Sequence, residues 1–365
     1  MINKRGFAWA GEQLMRTLEM CAGAGGQAIG LHLAGAEHVA LIELDPYACE
    51  TLRNNNQRLG LGWGPVLEED LRVFAEEQAH AFHGRVDLVA GGVPCPPFSK
   101  AGRQLGNEDD RDLFPTALEI ARKIRPQAVM LENVPGLLES KFEDYRNSIL
   151  DRLASMGFYG SWRLLQASDF GVPQLRPRAV LVAVNERLRD HFEWPEPMDE
   201  PAPTVGEALY DLMGSNGWPM AREWAEKANK IAPTLVGGSH KHGGPDLGPT
   251  RAKRQWQGLG INAHRVGADH EIPNEDFKGV VLRTGKIREG FENMPLLTVR
   301  MAARIQGFPD YWEFSGTKTH AYRQVGNAFP PPVSEAVGRQ IRLALEAADA
   351  AERLNTEELQ QVLFA

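Results

Sequence analysis

The sequence predicts an α/β protein: a doubly wound, mostly parallel sheet, with a second, smaller unit inserted late in the chain. Three observations carry this. Strand-like runs at 17–22, 39–43, 66–70, 86–90 and 127–134 each end in, or run into, a glycine, an acid or a proline. Stretches of helical spacing, 27–34 and 113–124, lie between them, and alternating strands and helices argue for a parallel sheet. Beyond about residue 190 the texture changes: Trp194-Pro195-Glu196-Pro197 and Pro201-Ala202-Pro203 make a linker-like stretch. The expected division is 1–190 with 305–365 as one unit and 191–304 as the other.

At 365 residues the chain can bury a full core. Its 42% hydrophobic and 24% charged residues place it with soluble globular proteins. No apolar run approaches the length of a membrane span, and the opening Met-Ile-Asn-Lys-Arg-Gly lacks a signal-peptide core, so a cytoplasmic protein without a membrane partner is expected. Three scattered cysteines, Cys21, Cys49 and Cys95, suit neither a disulfide framework nor a metal site. A reducing compartment would keep a reactive thiol free. The net charge of −8 argues against nucleic acid only at the scale of the whole chain, whereas a binding face is local. From Gly237 to Arg265, Lys241, Arg251, Lys253, Arg254 and Arg265 face one acid, Asp246.

The first strand, 17–22, runs into Gly23-Ala24-Gly25-Gly26-Gln27-Ala28, where glycines let backbone approach a ligand and open the helix 27–34. With Glu43 downstream, the spacing satisfies a dinucleotide fingerprint in outline. Glu43, closing the second strand, can accept both hydroxyls of a ribose, whether of NAD or of S-adenosylmethionine. Asp70, at the end of 66–70, can accept from an adenine amino group. Either acid could equally be a helix N-cap. Val86 to Ala90 is a buried strand ended by Gly91-Gly92, and Cys95 follows between Pro94, Pro96 and Pro97. Proline fixes φ and removes amide donors, so this turn holds its thiol in one presentation at a strand's carboxyl end.

Residues 100–111 are polar, with Gly102 and Gly106, and suit a lid. Strand 127–134 brings Glu132 to the same sheet edge as Cys95. Gln174, Arg176 and Arg178 alternate ahead of the strand 179–184, which puts all three on one face. From about 204 to 296 there are no long periodic runs, and the histidines there lack metal spacing. A short helix is expected at 297–306, a rigid turn at 324–332 and a long helix at 333–354 that packs back on the large unit.

A thiol and a carboxylate on adjacent strand ends, beside a nucleoside-binding glycine loop, suit methyl transfer to an unactivated ring carbon. Thiolate addition to C6 of cytosine makes C5 nucleophilic, above all if an acid bonds N3. Cys95 would be that nucleophile and Glu132, its pKa raised by burial, the acid. Arg176 and Arg178 could favour the thiolate and hold the base's carbonyl oxygen. A nicotinamide-dependent dehydrogenase would explain the glycine loop and Glu43 but leaves Cys95, Glu132 and the arginines without a role.

These segments together resemble the DNA (cytosine-5) methyltransferases, from about Thr17 to Val333. Ala22-Gly23-Ala24-Gly25-Gly26 is similar to the family's first motif, Gly91-Gly92-Val93-Pro94-Cys95 to its nucleophile motif, and Glu132-Asn133-Val134 to its acid motif. Gln174-Leu175-Arg176-Pro177-Arg178 resembles the arginine motif, Arg304-Ile305-Gln306-Gly307-Phe308-Pro309 the domain-junction motif, and Gln324-Val325-Gly326-Asn327-Ala328 the last. The resemblance implies an S-adenosylmethionine-dependent methyltransferase fold with a target-recognition domain, acting as a monomer on a flipped-out cytosine of a specific double-stranded DNA sequence, in a restriction-modification system. It implies a cofactor site at Cys21, Ala22, Gly23, Gly25, Gly26, Glu43, Leu44, Asp70, Leu71, Pro94, Leu113, Asn327 and Ala328. It implies DNA contacts from Ser99, Arg103 and Gln174, joined by Lys241, Arg251, Lys253 and Arg254 of the basic stretch. Trp256 lies in the same expected reading region. A tRNA-methylating branch shares the catalytic set, but the large insert between Arg178 and Arg300 favours duplex DNA, which needs base edges read. Two positions depart from the family's usual pattern: Cys21 stands where it has phenylalanine, and Pro96 where it has glutamine.

Overall fold

The computed structural model describes residues 14–94, 112–237 and 245–363, with side chains to residue 357. In chain order the elements of the first part are β1 (Met15–Met20), α1 (Gly26–Leu33), β2 (Ala36–Glu43), α2 (Pro46–Leu59), β3 (Val66–Glu68), α3 (Leu71–Glu77), β4 (Leu88–Gly91), α4 (Phe114–Ile124), β5 (Ala128–Asn133), α5 (Glu143–Ser155), β6 (Phe158–Gln166), β7 (Gln174–Leu175) and β8 (Pro177–Asn185). Then come α6 (Val205–Met213), α7 (Ala221–Lys227), β9 (Ala232–Pro233), α8 (Thr250–Gly258), β10 (Gly279–Val281), β11 (Ile287–Glu292), α9 (Val299–Ile305), α10 (Lys318–Asn327) and α11 (Pro331–Leu363).

Seven strands form one sheet in the order β3-β2-β1-β4-β5-β8-β6. The first five are parallel; β8 runs antiparallel to both β5 and β6. The expected α/β class and mostly parallel sheet are therefore present. Strand order reverses between β1 and β4, and open sheets bind ligands outside the carboxyl ends at such a switch point. The turns that follow β1 and β4 are the glycine loop after Met20 and the Gly91-Gly92 stretch.

Local chemistry sets the elements. Asp45 accepts from the amides of Tyr47 and Ala48 at 2.9 and 3.3 Å, Pro46 opens α2, and Gly60 ends it at φ +62°. Thr204 and Glu207 form a capping box on α6. All six residues of β5 are buried, as a central strand requires. One face of the sheet is covered by α3, α4 and α5 through Phe74, Phe114, Leu118 and Leu153. The other is covered by α1 and α11 through Leu31, Val333, Val337 and Ile341. The final helix thus packs back on the large unit. Gly30 permits it: a Cβ there would strike the Pro331 carbonyl.

Two expectations need correction, and one strand had no counterpart in the sequence reading. Residues 324–327 are not a turn but the last turn of α10, and only 328–330 form the break before α11. The basic stretch, expected to lie among residues without long periodic runs, carries a helix: Thr250–Gly258 is α8, seated by a fully buried Trp256. Strand β6 went unread because its alternation is broken by Gly160 and by polar edge positions. No helix among the described residues is long and apolar enough to cross a membrane.

Candidate active site

The glycine loop turns at Cys21, whose φ of +50° is left-handed without a glycine's freedom, and at Gly23 and Gly25. The loop's glycines serve different ends. A Cβ on Gly23 would meet nothing within 4 Å, whereas one on Gly25 would crowd Leu52 and Trp312, and one on Gly26 would strike the Phe329 carbonyl. Gly25 is therefore the one expected cofactor residue that does not line the cavity. The residues after α9 press onto the loop from behind, and Trp312 Nε1 donates to the Ala24 carbonyl at 3.0 Å.

In front of the loop lies a cavity of about 620 Å³. Its lining includes Cys21, Ala22, Gly23, Gly26, Glu43, Leu44, Asp70, Leu71, Pro94, Leu113, Asn327 and Ala328, the twelve other residues expected there. Glu43 Oε2 accepts from the Gly23 amide at 2.7 Å, and Oε1 from the Leu44 and Asp45 amides, both at 2.8 Å. Burial pushes its pKa up, and these three backbone donors oppose the shift. Glu43 is not the helix cap; that is Asp45. Asp70 is a cap, accepting from the Arg72 amide at 2.8 Å, and it also faces the cavity. The lining carries the acids Glu43, Asp45, Glu69, Asp70 and Glu132 against the cations Arg72 and Arg323. That acceptor-rich lining suits a ligand with hydroxyls and positive charge better than one with a pyrophosphate. Phe329, which the sequence reading missed, supplies an aromatic wall in the absence of one at Cys21.

A second cavity, of about 700 Å³, opens on the far side of Glu132. Gly92, Pro94, Glu132 and Asn327 line both, so the two spaces meet at the residue immediately before Cys95. Glu132 Oε1 lies 2.6 Å from Arg178 Nε, both side chains nearly buried. Burial raises the Glu132 pKa, and the charges of Arg178 and then Arg176 oppose it. Gly92 packs against this carboxylate: a Cβ there would come within 3.1 Å of Glu132 Oε2 and press on it. Asn133 Nδ2 donates to the Val93 carbonyl at 2.9 Å and fixes the start of the proline turn. Cys95, Ser99 and Arg103 themselves lie outside the described residues, as does Lys241.

The alternation of Gln174, Arg176 and Arg178 does bury all three side chains, but it gives them different work. Arg176, 1% exposed, donates to the Leu235, Gly326 and Ala328 carbonyls at 2.6, 2.7 and 3.1 Å. Its expected part in holding a base gives way to a structural one, because its Nη donors are spent on backbone. Gln174, fully buried, donates to the Ile305 carbonyl at 3.2 Å and to Gln306 Oε1 at 2.8 Å, and accepts from the Leu235 amide at 2.8 Å. It cannot be the DNA contact expected. Gln306 completes this hub by donating to the Ala328 carbonyl at 2.6 Å. The hub joins β7 and β8, residues 234–237 and the end of α10, and its partners are mostly main-chain atoms that leave no mark in a sequence.

In the basic stretch, Lys253 pairs with Asp246 at 2.6 Å and Arg265 with Glu271. Arg251 and Arg254 are exposed on α8 and make no ion pair among the described residues. Trp256, expected at the reading surface, is instead core. No group of metal-ligating side chains occurs among the described residues.

The family model of the C-5 cytosine-specific DNA methylases matches residues 15–343, nearly the whole chain. The chain belongs to this family. It is 52% identical over 334 residues to the type II methyltransferase M.NaeI of Lentzea aerocolonigenes, covering 91% of this chain and 76% of that protein. It is 51% identical over 332 residues to the type II methyltransferase M.NgoMIV of Neisseria gonorrhoeae, covering 90% and 98%. Among solved structures, the Entamoeba histolytica methyltransferase EhMeth superposes with a TM-score of 0.60 at 15% identity, over 90% of this chain and 98% of that one. The S. pombe Dnmt2 methyltransferase does so at 0.54 and 19%, over 92% and 99%. At those identities the structures speak for the fold alone. Membership in the C-5 cytosine-specific DNA methylases makes this protein a DNA (cytosine-5) methyltransferase, and excludes the dehydrogenase alternative.

Proposed function

We propose that this methylase adds Cys95 to C6 of a cytosine swung out of duplex DNA, with Glu132 as the acid at N3, and so activates C5 for methylation. One observation supports the reading above the rest: two cavities meet at Glu132 and Pro94, directly before Cys95. The first holds S-adenosylmethionine, against Gly23 and the carboxylates of Glu43 and Asp70; the second receives the base. When bound, that cofactor supplies the methyl group as an electrophilic carbon on a sulfonium.

The chain's residues do the rest. The Cys95 thiolate forms the bond to C6, and the electron pair displaced toward N3 is taken up by the Glu132 proton, leaving C5 electron-rich. Burial keeps that proton available above the pH range of a free carboxyl, and Arg178 orients the carboxyl group. Loss of the C5 proton then reforms the ring double bond and expels the thiol. Extruding the base costs a few kcal/mol, which contacts in the second cavity offset. We assign target recognition to 191–304, since α6 to α8 and the β10–β11 pair stand outside the main sheet. Arg251 and Arg254 are its exposed cations on α8. The names of the two relatives support a place beside a restriction enzyme.

Calorimetry separates the cofactor reading from its rival: S-adenosylmethionine and its demethylated product should bind, and NAD should not. Bisulfite sequencing of a bacterial host expressing the protein should reveal methylcytosine at one recurrent sequence. Tritium transfer to tRNA instead of duplex DNA would overturn the substrate.

A further inference from the structure

We infer that the β10–β11 hairpin enters a groove of duplex DNA and reads base edges there, a reading that rests on the reaction proposed above. Within the insert, the sequence points to DNA contacts only from the basic stretch between Gly237 and Arg265, and to none from this hairpin.

The hairpin is the part of the insert with the least protein around it. Every residue from Val281 to Lys286 is exposed, and Val281 and Leu282 are 62% and 47% accessible although apolar. In a chain of net charge −8, Val281 to Arg288 carries Arg283, Lys286 and Arg288 and no acid. An apolar, basic tip has no use in water alone. It fits a surface of phosphates with base edges and thymine methyl groups between them.

The tip is ordered before it meets a partner. Val281 pairs with Ile287, the Leu282 amide donates to the Lys286 carbonyl, and the Gly285 amide to the Leu282 carbonyl, both at 2.9 Å. Gly285, at φ +75°, takes a turn conformation that other residues resist. Four rises from Gly279 to the tip at Arg283 give a reach of roughly 13 Å at the rise of a β-strand. The major groove is about 8.5 Å deep and admits a two-stranded ribbon. Little ordering entropy remains to be lost on insertion.

The root is tied to the segment that follows α8. Arg288 lies over the Phe291 ring at 5.0 Å and donates to His264 Nε2 at 2.8 Å. His264 also feels the charge of Lys253, which pairs with Asp246. Thr234 to Gly237, which precede this part of the chain, line the second cavity.

The test uses the full chain carrying Arg283→Ala, Lys286→Ala or both, neither residue having an ion pair among the described residues. Unchanged binding of the demethylated cofactor product checks that each variant is folded. Each is expressed in a bacterial host without cytosine methylation, and the host genome is bisulfite-sequenced. At least one variant should methylate sequences that differ from the wild-type site at one base position, about ten- to hundredfold more often relative to that site. An unchanged sequence context with a uniform loss of rate and a flatter salt dependence would reduce the hairpin to a phosphate contact and overturn base reading. Unchanged context, rate and salt dependence would overturn any DNA contact and leave the tip to a protein partner. A wild type that methylates no cytosine would overturn the underlying reaction instead, and the two failures are thus distinct.

Discussion

Two carboxylates stand at the carboxyl edge of one sheet, Glu43 at the end of β2 and Glu132 near the end of β5, and they are held in opposite ways. Glu43 is fixed by three backbone amides, which neither titrate nor move. Glu132 is met by the Arg178 side chain. Burial raises both pKa values, yet only the second partner can swing aside when a substrate arrives. Fixed donors suit a carboxylate that must stay an acceptor, and a movable counter-ion suits one that must gain and give a proton.

The largest expected effect breaks the reactive side alone. Glu132→Gln should lower kcat by about 10²–10⁴-fold, the usual worth of a positioned acid, while cofactor affinity stays within a fewfold of wild type. If turnover survives at near wild-type rates, Glu132 is a structural residue.

The two arginines sharpen the same contrast. Arg176→Met strands the buried Leu235 and Gly326 carbonyls, each worth about 1–3 kcal/mol when left unmade, and should cost at least ~2 kcal/mol in urea unfolding. Arg178→Met should cost less stability and far more turnover, read as kcat against KM. Equal stability losses would mean that the hub around Gln174, Arg176 and Gln306 is not what joins residues 234–237 to α10.

On the cofactor side, Glu43→Ala should weaken cofactor binding by roughly ten- to hundredfold, as lost hydrogen bonds to a charged group do. Asp70→Ala should weaken it less and also lose about 1 kcal/mol of capping. A reversed order in calorimetry would show that the second strand's acid is not the main ligand.

The smallest effect is in pH. Burial raises the folded pKa of Glu132 above its ordinary 4.5. The group's contribution to stability is therefore full below 4.5 and is lost as pH rises through the folded value. Activity that needs its proton should fall on the same alkaline side, and Glu132→Gln should flatten that limb.

How much of this was legible in the sequence follows from which atoms do the work. Strand ends were readable because β-branched runs stop at Gly91, Glu43 or Pro135, and chemistry at a switch point follows from that order. Arg176 was misread because its partners are carbonyls of residues 235, 326 and 328, which any side chain could carry. Gln174 was misread for the same reason. Trp256 was placed in the reading region because α8 is only nine residues long and its Pro249-Thr250 start was not weighed as a helix signal. The β10–β11 hairpin was passed over because its charge signal is short and two acids, Glu289 and Glu292, dilute it at the root.

The central claim, a covalent path through Cys95 beside Glu132, is tested most directly by trapping. Duplex DNA containing 5-fluorocytosine in the methylated sequence, incubated with the protein and S-adenosylmethionine, should yield a stable adduct, because fluorine cannot leave as a proton does. Mass spectrometry should place it on the peptide carrying Cys95, and Cys95→Ala should form none while binding DNA within about tenfold of wild type. An adduct that persists in Cys95→Ala would contradict the account.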